Sequence, residues 1–274
     1  AFECWYHGIE HQTRPTYHTM ETCVSVTWMK LCFALLQITG NPEYGDQLEK
    51  TFYNALLASM KADGSEIAKY SPLEGRRHAG EEQCGMHINC CNANGPRGFA
   101  LIPGFAFMKS GSGLVVNFYT ESEITAEISP GNQLKLAQHT SYPENGKVVL
   151  TVSPELETEF EIKLRIPCWS KQTTVLVNGE NVEKINSGSY LTILRKWKKG
   201  DKIELSFDMR GRLTKLNGFQ SVERGPIVLA RFSRFNDGFT DETSVIQAEN
   251  EFVNLVPATN KPDNCWMAFT APLV

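Results

Sequence analysis

The hydrophobic period of this chain changes near residue 110, and that change limits the fold more than any other feature. Ahead of Gly111-Ser112-Gly113 apolar residues recur at three- and four-residue steps, and beyond it they alternate. Nine short β-branched runs follow, from 114–119 through 134–139, 148–152 and 160–166 to 227–230, separated by turn pairs such as Asn145-Gly146 and Asn178-Gly179. Runs of this length and spacing predict an antiparallel β-sandwich. In Phe160-Glu161-Ile162-Lys163-Leu164-Arg165-Ile166 the alternation is strict, so one face is expected to be buried and the other wet.

The first part is helical in pattern. Residues 24–39 are apolar on almost every side and stop at Gly40 and Pro42, which predicts a buried helix. Over 43–60, Tyr44, Leu48, Phe52, Ala55, Leu56 and Ser59 recur at helical steps, and Asp63-Gly64 closes a second, amphipathic helix. Residues 62–94 show no sustained period and are expected to form a long loop, a feature that in compact domains is usually functional. A third helix is expected over 96–108, where Gly98 and Gly104 permit close packing. Three apolar helices cannot surround one another, so the α part should belong to a larger helical domain. The expected fold class is α+β, with an α part over 1–110 and a β-sandwich over 111–274; the tail beyond about residue 235 is weakly patterned.

Composition narrows the partners. With 27 basic and 31 acidic residues in 274, a net charge of −4 and 41% hydrophobic residues, the chain is not disordered and has no basic face for a phosphate backbone. No apolar run reaches the roughly 20 residues of a membrane span. Both observations argue against nucleic acid and membrane as partners. The start, Ala1-Phe2-Glu3-Cys4, has no charged segment followed by an apolar one, so the chain is expected to begin in mid-protein.

Eight cysteines are too sparse for a disulfide scaffold, but Cys23, Cys84, Cys90 and Cys91 crowd into the first third. Glu21-Thr22-Cys23 with Cys90-Cys91 offers three thiolates and a carboxylate, a donor set suited to zinc in a tetrahedral shell. Glu21 and Cys23 fall on one side if the backbone is extended where it meets the helix, and the stretch from Asn89 to Gly95 reads as a loop. Two other readings fit the same residues: buried thiols acting as small hydrophobes, and a strained vicinal disulfide. Cys4, Cys32, Cys168 and Cys265 lack such partners. A metal-bound thiolate stays nucleophilic at neutral pH, so a closed shell need not be inert. Glu3, beside Cys4, Trp5 and Tyr6, is a candidate general acid because burial against aromatic rings raises a carboxyl pKa. Glu10, Glu81 and Glu82 compete for that role, and His7, His11, His18 and His87 fall near the same segments.

The run Tyr17-His18-Thr19-Met20-Glu21-Thr22-Cys23 continuing to Leu31, the Cys90-Cys91 pair, and Glu223-Arg224-Gly225-Pro226-Ile227-Val228-Leu229 together resemble glycoside hydrolase family 127. The type activity of that family is a retaining β-L-arabinofuranosidase. The resemblance implies the C-terminal portion of an (α/α)6 barrel followed by a β-sandwich, with Zn2+ held by Glu21, Cys23, Cys90 and Cys91. It further implies Cys90 as nucleophile, Glu3 as acid/base, and Tyr70, in Lys69-Tyr70-Ser71-Pro72-Leu73-Glu74, as a substrate contact. After the cysteine pair this chain runs Asn92-Ala93-Asn94, where the type enzymes have prolines. The implied partners are an oligosaccharide or glycoconjugate substrate and the N-terminal barrel segment. The competing expectation is a non-catalytic carbohydrate-binding or scaffolding protein with a structural Cys3Glu zinc.

Overall fold

A computed structural model describes residues 21–71, 90–111, 113–216, 218–230, 245–261 and 265–273. Helix α1 (Thr22–Thr39) starts from an extended Glu21 and ends where Gly40 takes a left-handed conformation (φ 64°) and its N–H bonds to the Leu36 carbonyl. By length and composition α1 could cross a membrane, but Cys23, Val26, Met29, Cys32 and Leu36 form a buried stripe packed on its helical neighbours. The expected buried helix is thus buried along one side only among the described residues. Trp28, Leu31 and Ile38 are exposed, because the described elements cover only one face.

Asn41 caps α2 (Pro42–Thr51), its Oδ1 accepting from the Glu43 N–H at 3.0 Å, and Pro42 supplies a pre-set φ at the first turn. The helix runs on through a π turn at Phe52–Leu56 into α3 (Leu57–Ser59). Asn54 in the π turn donates to the Pro226 carbonyl and accepts from the Val228 N–H, both at 2.8 Å, which ties the helical part to the Gly225-Pro226-Ile227 stretch.

Helix α4 (Cys90–Ala100) is followed by α5 (Ile102–Ala106), so Cys90 and Cys91 open a helix and not a loop, and the expected single helix over 96–108 is broken at Leu101. Glycine and proline disfavour a helix here, and Pro96 cannot donate to the Asn92 carbonyl. Packing overrides that preference. A Cβ on Gly95 would lie 2.7 Å from Ile67 Cγ1, and one on Gly98 2.9 Å from both Leu56 and Val26, so α4 sits closer to its neighbours than any larger residue allows.

The β part begins with β1 (Phe107–Ser110), β2 (Gly113–Val116), β3 (Ser122–Ser129), β4 (Asn132–Thr140) and β5 (Lys147–Pro154). It continues with β6 (Glu159–Ile166), β7 (Thr174–Val177), β8 (Glu180–Asn181), β9 (Ser189–Lys196) and β10 (Asp201–Ser206). One sheet has the order β1-β2-β6-β9, a second the order β3-β4-β5-β10-β7-β8. Pairing is antiparallel except between β2 and β6, which run parallel because the chain passes through β3–β5 of the other sheet before returning beside β2. Leu114, Ile162 and Leu164 of the first sheet and Leu136, Leu150 and Ile203 of the second belong to one apolar core, each fully buried side chain contributing about 1.5–3 kcal/mol. Beyond them β11 (Gly211–Leu216), β12 (Phe219–Arg224), β13 (Ile227–Leu229) and β14 (Phe252–Val253) form a separate sheet, and β15 (Val256–Pro257) pairs with β16 (Phe269–Thr270).

One residue of the 160–166 alternation breaks the expected wet face. Arg165 is fully buried, because α2 lies across that side of β6 and brings Asp46 and Glu49 against its guanidinium. Arg165 Nη1 bonds to Asp46, Nη2 lies 3.0 Å from Glu49 Oε1, and Nε donates to the Asn117 carbonyl at 2.7 Å.

Candidate metal centre

Two backbone contacts assemble the site. The Thr22 N–H donates to the Lys69 carbonyl at 3.0 Å, and Glu21 forms an antiparallel bridge with Tyr70, so the strand-like segment 67–70 runs alongside the start of α1. The Thr22 hydroxyl adds a 2.7 Å bond to the Ala68 carbonyl. From the other side Asn92 of α4 accepts from the Ile67 N–H at 3.2 Å, and Gly95 presses on the same residue. Three pieces of chain remote in sequence are thereby clamped together.

At their junction Glu21, Cys23, Cys90 and Cys91 meet, with one ligand atom of each within 4.8 Å of all the others. Cys23 Sγ lies 3.0 Å from Cys90 Sγ and 3.3 Å from Cys91 Sγ, and Cys90 Sγ lies 4.0 Å from Glu21 Oε1. All three cysteines are free thiols, which sets aside the vicinal disulfide. Glu21, Cys23 and Cys91 are buried, whereas Cys90 is partly exposed. The Cys91 thiol bonded to Cys23 holds the Cys23 pKa down to about 6 in spite of burial, and the same bond pushes Cys91 up. Of these two sulfurs, Cys23 is the more readily ionised.

The donor set fits a divalent ion of zinc type. With zinc–sulfur bonds of about 2.3 Å, tetrahedral sulfurs stand about 3.8 Å apart, so the cage needs to open by several tenths of an ångström along its short edges. Three sulfurs and a carboxylate, all but Cys90 buried, are otherwise a poor group to bring together, since ionised members repel one another.

Tyr70 sits beside this cluster, buried, with the Lys69 ammonium 5.4 Å from its ring centroid; burial pushes its hydroxyl pKa up. Glu3 lies outside the described residues, as do Glu10, Glu81, Glu82, His7, His11, His18, His87, Cys4 and Cys84. Cys32 is buried in the stripe of α1, where desolvation pushes its thiol up to about 11, and Cys168 and Cys265 also stand outside the cluster. Asn94 is a contact that the sequence reading missed: its Nδ2 donates to Cys23 Sγ at 3.1 Å. Its signal, a spacing of three and four residues from the cysteine pair, is readable only once 90–100 is known to be helical.

Comparison with known proteins settles the ancestry. Residues 6–104 match the model of the β-L-arabinofuranosidase GH127 catalytic domain and residues 113–209 that of the GH127 middle domain. The chain belongs to glycoside hydrolase family 127. A non-reducing end β-L-arabinofuranosidase of Bifidobacterium longum is 28% identical over 232 residues, covering 76% of this chain and 34% of that protein. Among solved structures, a glycoside hydrolase superposes with a TM-score of 0.76 at 26% identity, covering 92% of this chain and 44% of its own. A GH127 β-L-arabinofuranosidase from Geobacillus stearothermophilus T6 gives 0.70 at 28% identity, covering 93% of this chain and 46% of its own. The chain thus spans between a third and a half of the length of these relatives, and the two matched domains meet near the change of hydrophobic period.

Proposed function

We propose that this chain is part of a retaining glycosidase acting on an L-arabinofuranoside or a related pentose, with Cys90 as nucleophile. The observation that carries the reading is the unequal exposure of the cage: of four clustered donors, only the Cys90 sulfur belongs to a residue open to solvent. Glu21, Cys23, Cys90 and Cys91 would hold zinc, whose chemistry there is to keep the thiols ionised at neutral pH. Cys90 Sγ then attacks the anomeric carbon while a carboxylic acid, assigned to Glu3, protonates the leaving oxygen. A thioglycosyl bond forms and the glycosidic C–O bond breaks. Water next attacks the same carbon, the carboxylate takes its proton, and the thiolate is released. Tyr70, on the bridge to Glu21, lines the sugar side.

The helical segments fit the C-terminal part of an (α/α)6 barrel, and the first two sheets fit a β-sandwich. The exposed face carrying Trp28, Leu31 and Ile38 would fit against further helices of such a barrel. The substrate is an oligosaccharide or glycoconjugate. The test is Cys90→Ser in the complete protein, assayed on a panel of aryl glycosides with metal analysis alongside. Turnover should vanish while bound zinc falls only in part; near-normal hydrolysis by the serine variant would overturn the thiolate mechanism.

A further inference from the structure

We propose that Asn94 is a positioning residue of the metal cage, donating an N–H to the Cys23 sulfur so that this thiolate is fixed as a ligand. The inference rests on the zinc reading above and goes beyond its four donors. Asn94 lies four residues after Cys90 and three after Cys91 on α4, so all three project to the same side of the helix. Its Nδ2 stands 3.1 Å from Cys23 Sγ, a sulfur contributed by α1 across the cluster. The amide is oriented from its other end: Arg97 Nη1, one turn further along α4, donates to Asn94 Oδ1 at 3.3 Å. With the oxygen held by Arg97, the amide offers sulfur its hydrogens.

An N–H directed at a thiolate removes part of its charge. Cys23 is the central sulfur, at 3.0 and 3.3 Å from the other two, so electron density withdrawn there eases the repulsion of both pairs. It also separates the roles of the sulfurs. Cys23, buried and hydrogen-bonded, becomes the less nucleophilic ligand, while Cys90 keeps its partial exposure to the sugar side. The neighbouring Asn92 faces the other way, where its side chain accepts from the Ile67 backbone and holds segment 67–70.

The test uses the complete protein, zinc competition against a chelator, and the near-ultraviolet sulfur-to-metal charge-transfer bands of the cobalt-substituted form. Partners of ligands in such shells are typically worth about 10–100-fold in metal affinity. Asn94→Asp, which keeps the shape and replaces the donor by an acceptor, should weaken zinc at least 10-fold and shift the cobalt bands. Asn94→Ala should weaken zinc within the same range, and Arg97→Ala less than either. Because Asn94→Ala could disturb the helix, far-ultraviolet circular dichroism accompanies each variant, and the isosteric Asp variant decides. Wild-type affinity together with unshifted bands in Asn94→Asp would overturn the proposal. Failure of the unaltered protein to bind zinc or cobalt would instead overturn the metal reading on which it stands.

Discussion

Two buried polar clusters hold this molecule together, and they solve the same problem in opposite ways. At the junction of α1, α4 and segment 67–70, four acidic groups meet, and the Lys69 ammonium interacts with two of them, Glu21 and Cys90. Where α2 crosses β6, the guanidinium of Arg165 meets the carboxyls of Asp46 and Glu49, and the phenol of Tyr142 donates to Glu49 Oε1 at 2.8 Å. The second cluster carries its own counter-charge and is finished when the chain folds. The first gathers four groups that could hold a metal ion. Crowded acidic groups are costly to bury, so such a cluster points to function, whereas a self-neutral one points to architecture.

The comparison breaks most sharply at Arg165. Arg165→Met leaves Asp46 buried without its cation, and loss of one member of a buried pair typically costs about 3–5 kcal/mol. Urea unfolding should show a loss of that size, with zinc per folded molecule unchanged. A variant equally stable to urea would mean that the cluster contributes no net stability, and one that loses zinc as well would mean that the two clusters are coupled.

Each cluster also rests on a glycine at a close approach, which allows a matched pair of smaller perturbations. A Cβ at Gly45 would lie 2.7 Å from Arg165 Cδ, and one at Gly95 would lie 2.7 Å from Ile67 Cγ1. Overpacking of this kind typically costs about 1–3 kcal/mol. Gly45→Ala should lower the urea midpoint and leave zinc affinity alone, since it strains only the guanidinium. Gly95→Ala pushes α4 off the segment that carries Lys69 and Tyr70, so zinc affinity should fall as well. Equal effects on both readouts would erase the distinction between an architectural and a functional cluster.

The two regions differ as much in how far the sequence reveals them. The clustered residues Glu21, Cys23, Cys90 and Cys91 stand out because vicinal cysteines and a Glu-x-Cys step are local patterns, visible within a few residues. Their supports are hidden. Asn94 and Gly95 read as loop residues because the stretch leading up to them shows no sustained period, and only the close contacts with Ile67, Leu56 and Val26 offset the low helix propensity of Gly95, Pro96 and Gly98. Alternation puts Arg165 on a wet face because it reports which side of a strand a residue occupies and not what lies over that side. Its partner Asp46 is 119 positions away, and nothing local in either segment announces the pair. Over 134–139 and 160–166 the apolar alternation falls inside β4 and β6, as short-range pattern can; the parallel pairing of β2 with β6 depends on chain path and leaves no such trace.

The smallest effect sharpens the comparison through pH. Burial pushes the Glu49 pKa up even though Arg165 stands beside it, and Glu49 Oε2 is buried without a hydrogen-bond partner among the described residues. One cation with two carboxyls is neutral when one carboxyl keeps its proton, and desolvation favours the protonated form of Glu49. The folded chain therefore holds a proton that the unfolded chain releases once pH exceeds the ordinary carboxylate range. Stability attributable to this group should decline as pH rises from that range to the folded pKa, and be level below it. Glu49→Gln, which copies the protonated form, should change stability by less than about 1 kcal/mol at low pH, consistent with one neutral hydrogen bond retained. It should also flatten the decline. If Glu49→Gln instead destabilises the chain as strongly as Arg165→Met, Glu49 is ionised in the folded protein, and this second cluster carries more negative charge than its own side chains neutralise.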